Sequence, residues 1–155
     1  MPPDGGLKLR AEDADDLAVI SACLQDALVS VRDLAYDPAA RTFMLVANRF
    51  RWERTDRDAA AAEARQFERV LCGIAFAEVA GVSYRGFQRT EADRILSLLA
   101  IRAAAARGPG TIDLDFAADA TIRLSVSEIS CTAGDLGEPW PTQWAPGHPP
   151  DDPRP

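Results

Sequence analysis

Apolar and polar residues alternate along most of this chain, and that alternation restricts its fold more than any other feature. It is clearest between residues 111 and 126, where the apolar positions are Ile112, Leu114, Phe116, Ile122, Leu124 and Val126. A period of two places neighbouring side chains on opposite faces of a strand, so that one face is apolar and the other polar. Comparable stretches lie at 7–10, 29–36, 42–52, 67–77 and 79–87. The chain therefore predicts an antiparallel sheet of about seven or eight strands.

The period changes to that of a helix near the N-terminus. From Asp13 to about Leu28, apolar residues recur at spacings of three and four, at Leu17, Ile20, Leu24 and Leu28. Asp13 suits the N-cap position, because its carboxylate can accept hydrogen bonds from the free backbone N–H groups of the first turn. We predict one N-terminal amphipathic helix here.

Turn sequences connect several of the predicted strands. Residues 37–40, Asp-Pro-Ala-Ala, predict one hairpin, since proline presets its φ and aspartate can bond the backbone ahead, and Ala118-Asp119 predicts a second. Residues 91–106 leave two alternatives open. A Thr-x-x-Asp start, many alanines and a Gly-Pro-Gly stop favour a helix, whereas 95–101 is also typical of a strand buried on both faces. We prefer the strand.

These elements predict an α+β fold, in which a strongly curved antiparallel meander carries the N-terminal helix on one face, with closure into a barrel as one outcome. The expected organisation is a flexible leader at 1–6, a single α+β domain at 7–138 with a surface loop at 53–66, and a Pro/Trp-rich tail at 139–155. Trp140 and Trp144 would expose large apolar areas in a free tail, so we expect 139–144 to dock on the domain. Residues from Pro149 onward are expected to be disordered.

Charge and composition exclude several classes of function. The formal net charge of −7 repels phosphate backbones and anionic lipid, so neither nucleic acid nor a membrane is a predicted partner. No apolar run approaches the roughly 18 residues of a membrane span, and the N-terminus lacks the features of a signal peptide, so a cytoplasmic location is expected. Cys23, Cys72 and Cys131 fit no Cys-x-x-Cys spacing and predict buried free thiols.

Several blocks of sequence, in order, resemble a known family. They are KLRAED at 8–13, DLAVISA at 16–22, NRFRWE at 48–53, LLAIR at 98–102 and LGEPWPT at 136–142. The pattern resembles an uncharacterised alphaproteobacterial family labelled domain of unknown function 2948, from residue 7 to about residue 144. The resemblance implies a short, stand-alone cytosolic protein, and it implies no activity, cofactor or catalytic residue.

The inventory of catalytic side chains is short, and we predict no catalytic residue and no cofactor. The single histidine, His148, lies among prolines in the tail, which is a poor place to hold an imidazole beside a nucleophile. Asp113 and Asp115 project from one face of a predicted strand with Asp119 at its turn, so Mg²⁺ binding there is an alternative. Alternate acidic residues on a strand more often form its solvated face.

Two segments are candidate binding elements. The first is the aromatic and basic run of Arg49, Arg51 and Arg54 with Phe50 and Trp52, in which a period of two separates the arginines from the rings. Such arginines can hold a carboxylate or phosphate bidentately, and ion pairs with neighbouring strands are their ordinary alternative. The second is the tail with Trp140 and Trp144, which either docks on the domain or is presented to a partner.

The function predicted from these features is that of a non-enzymatic binding or scaffold domain, which contacts a protein partner or a small anionic ligand. The alternative is a small carboxylate-dependent or Mg²⁺-dependent enzyme built around Asp113, Asp115 and Asp119.

Overall fold

The described part of the chain forms an antiparallel sheet with one α-helix. The computed structural model describes residues 7–50, 68–136 and, for the backbone, 140–141. The strands are β1 (Lys8–Ala11), β2 (Leu28–Ser30), β3 (Ala35–Asp37), β4 (Thr42–Phe50), β5 (Glu68–Phe76), β6 (Val79–Arg85), β7 (Ile95–Ala103), β8 (Gly110–Phe116), β9 (Ala120–Val126), β10 (Cys131–Asp135) and β11 (Trp140–Pro141). The helices are α1 (Ala14–Cys23) and a single 3₁₀ turn (Val31–Asp33).

The sheet is antiparallel, as the alternation predicted, but it is open. Its strand order is β1-β10-β5-β4-β2-β7-β8-β9-β6, with β3 beside β4 and β11 beside β5. β1 and β6 end this order without pairing with each other, so closure into a barrel, which was one predicted outcome, is not supported, and the sheet is not strongly curled as predicted. The predicted meander is also wrong, because β10 lies between β1 and β5, and β2 lies between β4 and β7. Alternation decides which face a side chain occupies, and it does not decide which strand is the neighbour.

The helix begins where the sequence predicted it. Asp13 is the N-cap, with an extended backbone, and its Oδ1 accepts a hydrogen bond from the backbone N–H of Asp16 at 2.8 Å. The helix ends at Cys23 rather than near Leu28. The reason is that Asp26 adopts a left-handed backbone, with φ of 66°, and turns the chain into β2. Leu28 is the first residue of that strand.

The other local predictions have mixed outcomes. Residues 95–103 form a strand, which confirms the preferred alternative, because the segment pairs with β2 on one side and β8 on the other. Both hairpins are confirmed: Asp37 Oδ1 accepts hydrogen bonds from the N–H groups of Ala39 and Ala40, and Ala118 and Asp119 carry the positive φ of a tight turn. The predicted strand at 29–36 is instead β2, the 3₁₀ turn and β3.

One face of the sheet, here called the inner face, packs against α1. Leu17 and Ile20 of the helix belong to the same buried core as inward side chains such as Phe43 and Phe76, which lie opposite each other on β4 and β5. The opposite, outer face has no helix over it among the described residues. Outward side chains must therefore be compatible with solvent or be covered by something else.

The predicted leader at 1–6 and the predicted surface loop at 53–66 lie outside the described residues, as does most of the tail at 139–155. Trp140 and Pro141 are described for their backbone, which pairs with Arg69 and Glu68 of β5. Within the described ranges, no helix combines the length and apolar character needed to cross a membrane.

Gly86 directly follows β6, at a place where no side chain fits. Its φ is +86°, and a Cβ there would lie 2.4 Å from the carbonyl oxygen of Asp119 in the β8–β9 turn. Gly108 has a similar φ of +76°, but a Cβ there would meet no atom within 4 Å. Substitutions at the two positions therefore distinguish the cost of a left-handed backbone from the cost of a steric clash.

We expect Gly86→Ala to lower the free energy of unfolding by about 2–4 kcal/mol, because it combines a left-handed backbone with a clash. Gly108→Ala should cost only about 1–2 kcal/mol, because it has the backbone term alone. Urea unfolding of both variants measures the difference. Equal losses would show that the turn moves away from Gly86 without cost.

Candidate functional site

The outer face over β7, β8, β9 and β6 carries a cross-strand row of polar side chains. Arg102, Asp113, Arg123 and Ser83 lie directly opposite one another on these four strands. The next row contains Asp115, Thr121 and Arg85 in the same order. Because every second residue of a strand points outward, antiparallel register alone brings these side chains together.

The carboxylates of this surface are bound by arginines. Arg123 holds Asp113 with two bonds, Nε to Oδ1 at 2.8 Å and Nη2 to Oδ2 at 2.9 Å. Arg102 donates from Nε to Asp115 Oδ2 at 2.5 Å, and its Nη2 lies 3.4 Å from Asp113 Oδ2. Asp113 is only 7% exposed although its partners extend into solvent.

Electrostatics keep the Asp113 carboxylate ionised. The hydrogen bonds from Arg123 hold the pKa of Asp113 below its ordinary value, and the positive charges of Arg102 and Arg85 lower it further. Hydrogen bonds to the carboxylates raise the pKa of Arg102 and of Arg123 in turn. A carboxyl group whose pKa is lowered is a poor proton donor near neutral pH, so Asp113 does not have the tuning expected of a general acid.

These side chains surround a shallow depression of about 450 Å³, which we call the arginine depression; its lining is Ser83, Tyr84, Arg85, Arg102, Asp113, Asp115, Thr121 and Arg123. In the described part of the chain, Arg85 has no carboxylate within ion-pairing distance. Arg102 and Arg123 use Nε and Nη2 for the aspartates, and their Nη1 groups have no acceptor among the described residues. The depression therefore presents several cationic N–H donors held in fixed directions.

The predicted Mg²⁺ alternative receives no support from this geometry. Asp113 and Asp115 already bind arginines, and Asp119 lies in the β8–β9 turn beyond the end of both strands. Across residues 7–50 and 68–136, no cluster of three His, Cys, Asp or Glu side chains could hold a metal ion.

Arg49, predicted to bind an anion, lies on the inner face instead of the surface. Its side chain is fully buried, and it holds Asp135 with two bonds, Nε to Oδ1 at 2.9 Å and Nη2 to Oδ2 at 2.8 Å. Asp135 also accepts a hydrogen bond from the backbone N–H of Leu7 at 2.7 Å. Because β5 lies between β4 and β10, this ion pair ties three strands and the N-terminal end of β1 together.

The other predicted binding residues are not placed by the structure. Arg51, Trp52 and Arg54 lie outside the described residues, as does Trp144, and Trp140 is described only as part of β11. For these positions, anion binding by the arginines and docking or partner contact by the tail stay predictions. His148 is likewise outside the described ranges.

Cys72 and Cys131 are poor candidates for a nucleophile. Burial raises the pKa of both Cys72 and Cys131 to about 12, so each is a neutral thiol at physiological pH. All three cysteines are free, with Cys72 and Cys131 buried as predicted and Cys23 half-buried.

Sequence reasoning missed three important residues of the outer face, namely Arg85, Arg102 and Arg123. Alternation could have placed each of them outward, since all three follow the polar phase of their strands. What the sequence did not give was the order β7-β8-β9-β6, which brings residues separated by up to 38 positions, Arg85 and Arg123, onto adjacent strands. Asp135 was missed because β10 was not predicted.

A family model described as "Protein of unknown function (DUF2948)" matches residues 7–148. This confirms the family resemblance seen in the sequence blocks. No curated protein and no solved structure shows significant similarity to the chain.

The buried position of Arg49 generates a stability prediction. Arg49→Met should lower the free energy of unfolding by about 3–5 kcal/mol, because it leaves the Asp135 carboxylate buried without its partner. The double variant Arg49→Met with Asp135→Leu should recover most of that loss, since no uncompensated charge remains.

Arg10→Met is the matched control, because Arg10 pairs with Glu12 on the surface and is well exposed. Its effect should stay within about 0.5 kcal/mol. Urea unfolding of the four proteins measures all these values. If Arg49→Met costs no more than Arg10→Met, the buried ion pair does not hold the sheet together.

Proposed function

Because the chain belongs to this DUF2948 family, which supplies no activity, we propose a function from its geometry: a non-enzymatic binding domain that takes a small anion in the arginine depression. The observation that carries the proposal is the position of Arg85 beside two arginines whose directions are fixed by Asp113 and Asp115. The side chains that line the depression are suited to holding a ligand by charge and hydrogen bonds.

Local charge supports an anion rather than a cation. Three guanidinium groups face two carboxylates in the depression, so the site has an excess of positive charge although the whole chain has a net charge of −7. Each guanidinium carries five N–H donors and no acceptor. Hydroxyl groups of Ser83 and Thr121 at the same lining add neutral donors.

The two aspartates give this site its rigidity. Free arginine side chains lose much rotamer freedom when they bind a ligand, and this loss weakens binding. Arg102 and Arg123 are already held by Asp115 and Asp113, so less freedom remains to be lost. Arg85, which has no such partner, is the cation that is most available to a ligand.

The chemistry of the donors defines the class of ligand. Guanidinium forks match the paired oxygens of carboxylate and phosphate, and a shallow, open depression admits a small group or one end of a larger molecule. The net charge of the chain disfavours long polyanions such as nucleic acid, so the proposal is limited to small carboxylates and phosphates. A protein partner for the tail stays a separate prediction.

The alternative of a carboxylate-dependent enzyme is less well supported. A carboxyl group that acts as a general acid needs a pKa raised toward neutrality, whereas the pKa of Asp113 is lowered and its carboxylate is already occupied by arginines.

Inorganic phosphate is the simplest probe of the proposal. In a titration at constant ionic strength, followed by amide NMR shifts, we expect saturable changes at β6, β8 and β9. Arg85→Ala should weaken this binding by about tenfold or more, since a charge-assisted hydrogen bond contributes about 1.5–3 kcal/mol. The apparent affinity should also fall as chloride is added, because the arginines are exposed and screened by salt.

Arg32→Ala is the matched control, because it removes one exposed arginine and the same unit of charge outside the lining of the depression, where Arg32 pairs with Asp93. It should bind phosphate as the wild-type protein does. The proposal fails if the two variants weaken binding equally, which would indicate a general charge effect, or if the wild-type protein shows no saturable change.

A further inference from the structure

The other half of the outer face is apolar, and its strands are different from those of the arginine depression. Over β5, β4 and β2, outward side chains form a surface that we call the Asn48 patch: Leu28, Met44, Val46, Asn48, Leu71 and Leu136. Leu136 reaches this face by packing over Gly73, where its Cδ1 lies 3.4 Å from the position that a Cβ would take. Met44 and Leu136 are about half exposed at the margins, with 43% and 50% of their surfaces accessible.

Asn48 lies within this apolar surface with an unsatisfied side chain. It is only 3% exposed, and neither Nδ2 nor Oδ1 has a hydrogen-bond partner among the described residues. A buried polar group without a partner costs roughly 1–3 kcal/mol. A side-chain amide offers a donor and an acceptor side by side, and a peptide backbone offers the complementary pair.

We propose that the chain's own tail lies across the Asn48 patch, with backbone groups of residues 142–145 bonded to the Asn48 amide and Trp144 covering apolar side chains of the patch. The proposal is independent of anion binding, because the arginine depression is built from other strands.

The path of the chain leads to this patch. After β10, the backbone N–H of Leu136 donates to the carbonyl oxygen of Leu71 at 2.7 Å, and Trp140 and Pro141 then pair with Arg69 and Glu68. The chain therefore runs alongside β5 as far as Pro141, and β5 itself contributes Leu71 to the patch.

The distance is short enough for a return over the face. Glu68 and Leu71 are three residues apart on β5, which corresponds to roughly 10 Å. Asn48 on β4 also lies two strand spacings from β11, roughly 10 Å to the side, so the direct path is about 14 Å, and the four residues from 142 to 145 span about that length when extended. A reversal after Pro141 therefore brings the segment back over Phe50 and Arg69, whose guanidinium stacks 3.7 Å from the ring centre, and toward Asn48.

Sequence selects this part of the tail over the rest. Residues 142–145, Thr-Gln-Trp-Ala, are the first consecutive residues after Pro141 that each carry a backbone N–H, and Pro146 follows them. Proline has no N–H and cannot donate to Asn48 Oδ1. Attachment to β11 holds the segment at an effective concentration on the millimolar scale, which favours it over a second copy or a separate protein.

Hydrogen–deuterium exchange on the full-length chain tests this proposal. We expect the amides of 142–145 to exchange about tenfold or more slowly than in a free synthetic peptide of residues 142–155. Asn48→Leu should remove most of this protection, because it keeps the size of the side chain and deletes both hydrogen-bonding atoms. Trp144→Ala should also remove most of this protection, because it deletes the ring that is proposed to cover the patch.

Ser125→Ala, an exposed change on β9, is the control and should leave tail protection intact. Unchanged exchange of the β8 and β9 amides shows that each variant is folded, and Trp144→Ala remains informative if Asn48→Leu does not fold. Exchange equal to that of the free peptide overturns the proposal. Protection that survives both substitutions would mean that the tail docks elsewhere. Protection that increases with protein concentration would mean that a second copy of the chain covers the patch. Either result also overturns the proposal.

Discussion

A single short helix cannot cover both faces of an open sheet, and this limit decides how the rest of the molecule is arranged. α1 spans ten residues and packs on the inner face, where its side chains join one core with those of the strands. No other α-helix is present in the described ranges, so the outer face needs another solution. The chain solves the problem differently over the two halves of that face.

Over β7, β8, β9 and β6 the outward side chains are mostly charged or polar, so this half of the face is solvated. Asp113 is nearly buried between two arginines, and this arrangement gives a solvated surface whose cations point in fixed directions. Over β5, β4 and β2 the outward residues are apolar around Asn48, and such a surface requires a cover. Solvation of one half and cover of the other are therefore two consequences of the same geometry. They explain why the proposed anion site and the proposed docking surface of the tail can lie on one face without sharing residues.

Sequence reasoning predicted the features that depend on near neighbours in the chain. Alternation gave the faces of β8 and β9, Asp13 gave the start of α1, and the Asp-Pro turn gave the β3–β4 hairpin, because each depends on a few adjacent residues. Alternation failed for the order of strands, because any amphipathic strand can pair with any other. β10 shows this clearly: Cys131 to Asp135 is short and contains Gly134, yet it inserts between β1 and β5 and leaves the sheet open.

The same distinction explains the outcome for Arg49. Its position in an alternating run did indicate a polar contact with a neighbouring strand, but the side chain lies on the inner face and its partner, Asp135, is 86 residues away. Only the strand order could show that this arginine is enclosed, and that three others, Arg85, Arg102 and Arg123, face solvent together.

The arginine depression depends on aspartates that hold its arginines in place before any ligand arrives. NMR measurement of the Nε–H signals of Arg102 and Arg123 in the ligand-free protein tests this claim most directly. We expect slow exchange with water and restricted motion at both side chains. The Arg85 side chain should exchange fast and move freely until phosphate is added. Fast exchange at all three arginines without a ligand would contradict the claim, because the depression would then have no fixed donors to offer.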